Sequence, residues 1–447
     1  MPAMPAPDEH PATGESHLTT NAADPEPAGR LRVHPFRGVR YDPARVSDLA
    51  AVTSPPYDVI DADSAAHLEQ LDPHNVVRLI LPRSLADDRQ GAYDDAAARL
   101  AAWLADGTLQ RDAEPAIYVY EQLVDGRLQR GIFAAVELRD PAERVVLPHE
   151  DVMPGPVADR LDLMRATRAN LEPILLVYEG GGGTAAVIAS VAETPPLIET
   201  TTEDGLVQRV WRVTDPAEHA RINEDLGPRQ ALIADGHHRY ATYRRLQAER
   251  RAGGEMAGPW DRGLALLVDS VTYPLRLAAI HRVVEDLALA DALLTAADVF
   301  DVSPLQGGLD AAMEALQAET RRHPFVLTDG SQFWLLCEPA ERVLAAALPR
   351  SQSELWRSLD ASVLDAVLLE RLWSVDPSSA RVRYVHDAAG ALRAARRSNG
   401  TAVLLKPVEL GDVLAVAATG ERMPRKSTSF GPKPRTGLVL RLLDGDT

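Results

Sequence analysis

The chain has 447 residues, of which 45% are hydrophobic, and carries a net charge of -18. Length alone allows about two to four domains, and the acidity argues against sequence-independent binding to DNA or anionic lipid. No run of about 18 apolar residues occurs, so no membrane span is expected, and the single Cys337 excludes an intrachain disulfide or a cysteine-based zinc cluster. Residues 1–30, rich in proline, alanine and acidic residues, read as a disordered leader without the apolar stretch of a secretory signal. A cytoplasmic location is expected. "VHPFRGVRYDPARV" and "AVTSPPYDVID" are loop-rich, and "AYDDAAARLAAWLADG" is an amphipathic helix with Ala96, Leu100, Trp103 and Leu104 on one stripe. In "AIYVYEQLVDGRLQRGIFAAVEL" two β-rich runs flank Asp125-Gly126, the pair that a tight hairpin turn favours.

"RLDLMRATRAN" reads as a short helix opened by Arg160 and ending at Asn170, and "EPILLVYEG" as a buried strand. The following "GGGGT" lacks the Gly-Lys-Ser/Thr of a phosphate loop and reads as a flexible tip. "LVQRVWRVT" is a strand, "PAEHARINEDLG" a helix, and "RQALIADG" leads into "HHRYATYRRLQAER". From about residue 260 the pattern restarts with the strands "LALLVDSV" and "LRLAAIHRVV" and the helix "ALADALLTAADVF". "PFVLTDGSQFWLLCE" is a second hairpin, in which Cys337 is expected to be buried and inert. Helices follow near 354–373 and 388–397, and "TAVLLKPVELGDVLAVAATG" runs from strand to helix. Strands and helices mix without strict alternation, which predicts an α+β fold.

"DGHHRY", residues 235–240, is compatible with three roles. As a metal site it is poor, because adjacent histidines lack the i, i+4 spacing of a chelating helix. As an anion site it has a turn that lets backbone approach a ligand, a helix start with unpaired N–H groups, and a planar guanidinium on Arg239. As a plain loop it would be an Asp-capped helix with exposed histidines. A second cluster, His149-Glu150-Asp151, follows a strand-like run, and Glu150 reads as a general base or as a solvated carboxylate. Two prolines fix the backbone before Tyr57 and Asp58 in "SPPYDVI". Lys406, Lys426 and Lys433 are the only lysines, and two of them share "MPRKSTSFGPKPRTG". His281 and Arg282 in "AIHRVV" are further candidates.

The stretch "VVLPHED…R…PILLVY…LIADGHHRYATYRRL" resembles the ParB/sulfiredoxin-type nucleotide-binding fold. Within that fold it is most similar to the free serine kinase branch, which runs Pro-His-Glu, Arg, Pro-Ile before a strand, then Asp-Gly-His-His-Arg-Tyr. From about residue 31 the chain also resembles the bacterial family catalogued as domain of unknown function 1015, through "FRGVRYDP", "SPPYDVI", "NVVRL", "LPHE", "DGHHRY", "HRVV" and "MPRKST…PK…GLV". The organisation expected is a leader over 1–30 and an N-terminal domain over 31–258, with a ParB-like core at about 145–252 flanked by α/β segments. A C-terminal α+β domain over 259–447 completes it.

The resemblance implies that Glu150 removes the proton of a substrate hydroxyl and that Asp235, Gly236, His237, His238 and Arg239 bind donor phosphates. Asp235 and His238 join Glu150 in the expected catalytic set, Arg160 and the two lysines Lys426 and Lys433 join the phosphate contacts, and His149, Tyr57 and Asp58 are expected at the acceptor. Phosphoryl transfer asks mainly for positioning and charge stabilisation, and magnesium is expected to bridge the phosphates, with Asp235 as its anchor, directly or through water. The sequence departs from the compact kinases by the insert "EGGGGTAAVIASVAETPPLIETTTEDG", which leaves the donor open among ATP, ADP and pyrophosphate. The function expected is a kinase converting free L-serine to O-phospho-L-serine, with a homodimer as the assembly and no nucleic acid or membrane partner. The alternative is a ParB-like nucleotide-binding or nucleotide-hydrolysing switch. A third, metal-dependent hydrolysis, would use His237 and His238.

Overall fold

The computed structural model describes residues 29–82, 88–124 and 126–444. Residues 1–28 of the expected leader and Asp125 of the expected hairpin turn lie outside the described residues. Helices and several sheets mix in one α+β architecture, and the largest sheet has nine strands. Along its path run Val146–Leu147, Ala231–Asp235, Ile174–Tyr178, Arg262–Asp269, Arg127–Glu137, Ile117–Val124, Val207–Val213 and Ile198–Thr201, with Val33–His34 beside Arg127–Glu137. Ile174–Tyr178 and Ala231–Asp235 are buried at every position, as near-continuous apolar runs in a covered sheet should be. Among the described residues no helix is long and apolar enough to cross a membrane.

Two helices flank the site and pack on each other, Pro154–Thr167 and His237–Ala252. The first starts six residues before Arg160, the start expected from sequence. Its two early prolines are tolerated because first-turn N–H groups have no partner within the helix. It ends at Thr167 on a left-handed Arg168 (φ 51°), and Ala169–Asn170 is a strand instead. The glycine run also differs from expectation: a helix begins at Gly183 and continues to Ala192, and its Thr184, Val187 and Ile188 are buried. "LRLAAIHRVV" breaks into two strands, Arg276–Ala278 and His281–Val284, which join different sheets.

A six-stranded antiparallel sheet organises most of the chain after residue 280, in the order Asp301–Leu305, Phe333–Cys337, Phe325–Thr328, Thr401–Leu404, His281–Val284 and Val382–Val385. Cys337 is fully buried there, and burial pushes its thiol up. Two segments beyond the boundary expected at 258–259 join sheets built by the residues before it. Arg262–Asp269 stands in the middle of the nine-stranded sheet, and Leu440–Leu442 pairs with Gly38–Tyr41 and Ala169–Asn170. Fully buried Arg441 pins this return, donating to Asn170 Oδ1 and to the carbonyls of Arg262 and Pro259. Met423 and Phe430 join the core cluster of the nine-stranded sheet, and Ser429–Gly431 pairs with Arg276–Ala278 in a separate two-stranded sheet.

Candidate active site

Strand Ala231–Asp235 runs straight into helix His237–Ala252 through a single residue, Gly236, whose φ of 92° is left-handed. Gly236 occupies the cap position, and no side chain caps the helix. The first-turn amides are thus open to an outside anion, at the positive end of the helix dipole. The plain-loop expectation fails on both of its terms: Asp235 is not the cap, and His237 is 6% exposed. A Cβ on Gly236 would meet Ile174 Cγ2 at 3.0 Å and Arg239 Nε at 3.1 Å. Gly236→Ala is therefore expected to cost at least about 1–2 kcal/mol from the left-handed backbone alone, readable as a lowered urea midpoint with unchanged slope.

Both histidines are held by backbone. The His149 N–H donates to His237 Nε2 at 3.2 Å, and the Met153 N–H donates to His238 Nε2 at 3.0 Å. An accepting nitrogen carries no proton, so each neutral ring has its N–H on Nδ1. Burial, together with His149 and the cations nearby, holds His237 well below the usual histidine range; burial and Lys426 lower His238. Both rings therefore serve as neutral donors near pH 7. Metal ligation through Nε2 would break these backbone bonds, and among the described residues no group of three His, Cys, Asp or Glu side chains could hold a metal ion.

Glu150 follows strand Val146–Leu147. Its Oε2 lies 3.9 Å from His237 Nδ1, and its Oε1 accepts from Thr428 Oγ1 at 3.2 Å. Burial raises its pKa, and Asp235 adds to this, while Lys426, Thr428 and Lys433 oppose it. Lys433 Nζ lies 2.7 Å from Asp58 Oδ2 and 2.6 Å from Asp235 Oδ1. Arg239 takes the other Asp235 oxygen and the Pro173 carbonyl, so much of its guanidinium is already engaged. Burial alone would lower Lys433, but the two carboxylates outweigh it and raise its pKa.

These groups surround one cavity of about 490 Å³. Tyr57, Asp58, Glu150, Asp235, Gly236, His237, His238, Arg239, Lys426 and Lys433 all line it. The two remaining expected residues do not. His149 is 1% exposed, wedged edge-on between the His237 and Phe430 rings, and it supports the site from behind. Arg160 donates to the Ile80 carbonyl, and its guanidinium lies over the Tyr57 ring at 4.4 Å, behind a residue that lines the cavity.

Sequence reading missed Thr428, Ile280 and His386, which also line the cavity. Thr428 lies inside the motif that drew attention to the lysines, whereas His386 carries no local signal. Neither His281 nor Arg282 lines the cavity; fully buried Arg282 donates to the carbonyls of Lys426 and Arg425 at 3.0 and 3.3 Å, holding the segment that carries Lys426.

The family described as "Protein of unknown function (DUF1015)" matches residues 33–362. The chain belongs to the DUF1015 family. No curated protein matches this DUF1015 member. Among solved structures it is similar to a free serine kinase in complex with AMP, at 14% identity and a TM-score of 0.32, covering 67% of this chain and 87% of that one. It is also similar to SbnI with a C-terminal truncation from Staphylococcus aureus, at 12% identity and a TM-score of 0.36, covering 70% and 90%. A conserved hypothetical protein from Pyrococcus furiosus matches at 13% identity and a TM-score of 0.34, covering 71% and 97%. At these scores the functional reading rests on the residues of this DUF1015 chain.

Proposed function

We propose that this protein is a phosphotransferase that moves a phosphoryl group from a nucleotide or pyrophosphate to the hydroxyl of a free amino acid, L-serine, giving O-phospho-L-serine. One observation carries the reading: a carboxylate and an uncapped helix start face the same cavity, with Glu150 Oε2 3.9 Å from His237 Nδ1. Glu150 takes the hydroxyl proton while the substrate oxygen bonds to phosphorus and the bond to the leaving phosphate oxygen breaks. A raised pKa suits a base that must hold a proton near neutral pH. The first-turn amides, the Nδ1–H groups of His237 and His238 and the Lys426 ammonium face the charge spread over the transferring group, where preorganised donors count most. In this reading the strand, turn and helix over about 145–252 act as a ParB/sulfiredoxin-like core, and Tyr57 and Asp58 close the acceptor side.

Magnesium bound directly to Asp235 does not fit this arrangement, because Lys433 and Arg239 occupy both of its carboxylate oxygens. No step is assigned to the ion. The test is a matrix of donors (ATP, ADP, pyrophosphate) against acceptors (L-serine, L-threonine, L-homoserine) with magnesium present, read by mass spectrometry. The expected result is phosphoserine with one donor. Nucleotide binding without any phosphorylated product, coupled to a change in oligomeric state, would replace this reading with the switch alternative.

A further inference from the structure

Thr428 stands between two residues of the opposite half of the chain. Its Oγ1 is 2.9 Å from His149 Nε2 and 3.2 Å from Glu150 Oε1, contacts that span 279 and 278 residues of sequence. A hydroxyl has one proton to give and lone pairs to receive, and an ionised carboxylate can only accept. The Thr428 proton therefore goes to Glu150, and His149 Nε2 is the second group on the Thr428 oxygen. His149 Nδ1 is buried on the far side of the ring, toward the Ile233 backbone. Burial drives the His149 pKa down to about 3, so the ring is neutral at working pH. The three groups form one contact chain that ends on a single carboxylate oxygen.

We infer that Thr428 is the positioning residue for Glu150: it anchors Oε1 and thereby leaves Oε2, the oxygen facing His237 Nδ1 and the cavity, to take the substrate proton. This rests on the phosphotransferase reading. The proton moves from substrate hydroxyl to Oε2, and the Thr428 proton stays on Thr428 throughout. Thr428 is 8% exposed and His149 1%, so water does not compete readily for the bond between them. The base is complete only when the carboxy-terminal segment is seated, which ties activity to a part of the chain remote from the helix and strand that form the rest of the site.

Thr428→Val keeps the shape and removes the hydroxyl. Loss of one hydrogen bond to a charged group corresponds to a fall in kcat of roughly 10–100-fold, with KM little changed. The acidic limb of the pH–rate profile moves to higher pH, because a carboxylate that loses a donor holds its proton more tightly. Asp235 from the strand end, His237 from the helix, and Lys426 and Lys433 from the same segment also face Glu150. All four remain in T428V, so the shift reports the hydroxyl. Thr428→Ser restores both kcat and the limb; a purely structural threonine would leave the limb unmoved.

A second readout needs no turnover. In full-length protein labelled with ¹³C at glutamate Cδ, the Glu150 signal is the one missing from E150Q, and its titration midpoint rises in T428V and returns in T428S. Should T428V fail to match the wild-type circular dichroism, Thr428→Ala takes its place. An unchanged Glu150 midpoint in the folded variant overturns the role of Thr428. A wild-type protein that makes no product with any donor overturns the phosphotransferase reading instead.

Discussion

Glu150→Gln is expected to lower kcat by about 10²–10⁴-fold, the usual worth of a general base, or about 3–5 kcal/mol of barrier. Glutamine keeps the length of the side chain and can still accept from Thr428 through its carbonyl oxygen. The 3.2 Å anchor survives, and what disappears is the capacity to take a proton. KM for donor and acceptor should stay within about a factor of a few, since an interaction made only in the transition state lowers kcat and kcat/KM together. The pH dependence sharpens the test. Burial raises the Glu150 pKa, and the protonated acid cannot act as base, so wild-type kcat falls as pH drops through that raised value. The acidic limb should therefore lie above the range of a free glutamate, and E150Q should show no such limb. A variant with full turnover and an unchanged profile would move the base elsewhere. The other cavity carboxylates, Asp58 and Asp235, are poor replacements because Lys433 and Arg239 already hold them.

How much of this was legible before the structure depends on whether a feature is local. The hairpin, the strand Ile174–Tyr178 and the strand–turn–helix at 231–252 are written in contiguous apolar runs and single turn residues. The π-helical turns at Leu364–Leu372 and the break between Ala278 and His281 are not, because strands and helices competing in three dimensions decide them. The site divides in the same way. Asp-Gly-His-His-Arg gives away the turn, but nothing local says that its aspartate bonds a lysine almost 200 residues on instead of capping the helix. His149 and Arg160 look like ligands because polar residues near a motif invite that reading. Both are buried supports, and burial is a property of packing. The scarcity of lysine made Lys426 and Lys433 visible, whereas Thr428, one threonine among many, became visible only through its two distant partners.

Lys433 carries the second large effect. Its ammonium is the link between Asp58 on the amino-terminal side, Asp235 at the strand end and the carboxy-terminal segment. Lys433→Met leaves the two carboxylates near one another with Arg239 as their remaining strong counter-charge. Stability should fall by about 2 kcal/mol, in the range of one hydrogen bond to a charged group. The pH dependence of that loss follows from the two shifts. Burial would raise the Asp58 pKa, but Lys433 and Arg239 outweigh it and lower it, so its contribution is present above the unfolded carboxylate range and is lost as pH falls through the lowered value. The raised Lys433 pKa contributes below the unfolded lysine value and is lost as pH rises through the raised one. The gap between wild type and K433M in urea should thus be flat in the middle range and shrink below about pH 4 and above about pH 10.5. Activity should suffer separately. The freed carboxylates repel a polyphosphate at a few ångströms in a partly screened cleft, which predicts a donor KM higher by on the order of 10-fold or more. Lys433→Arg retains the charge and should recover most of the stability. A K433M protein with wild-type urea curves at every pH and an unchanged donor KM would mean that the three chain segments meet at this cavity without depending on the lysine that joins them.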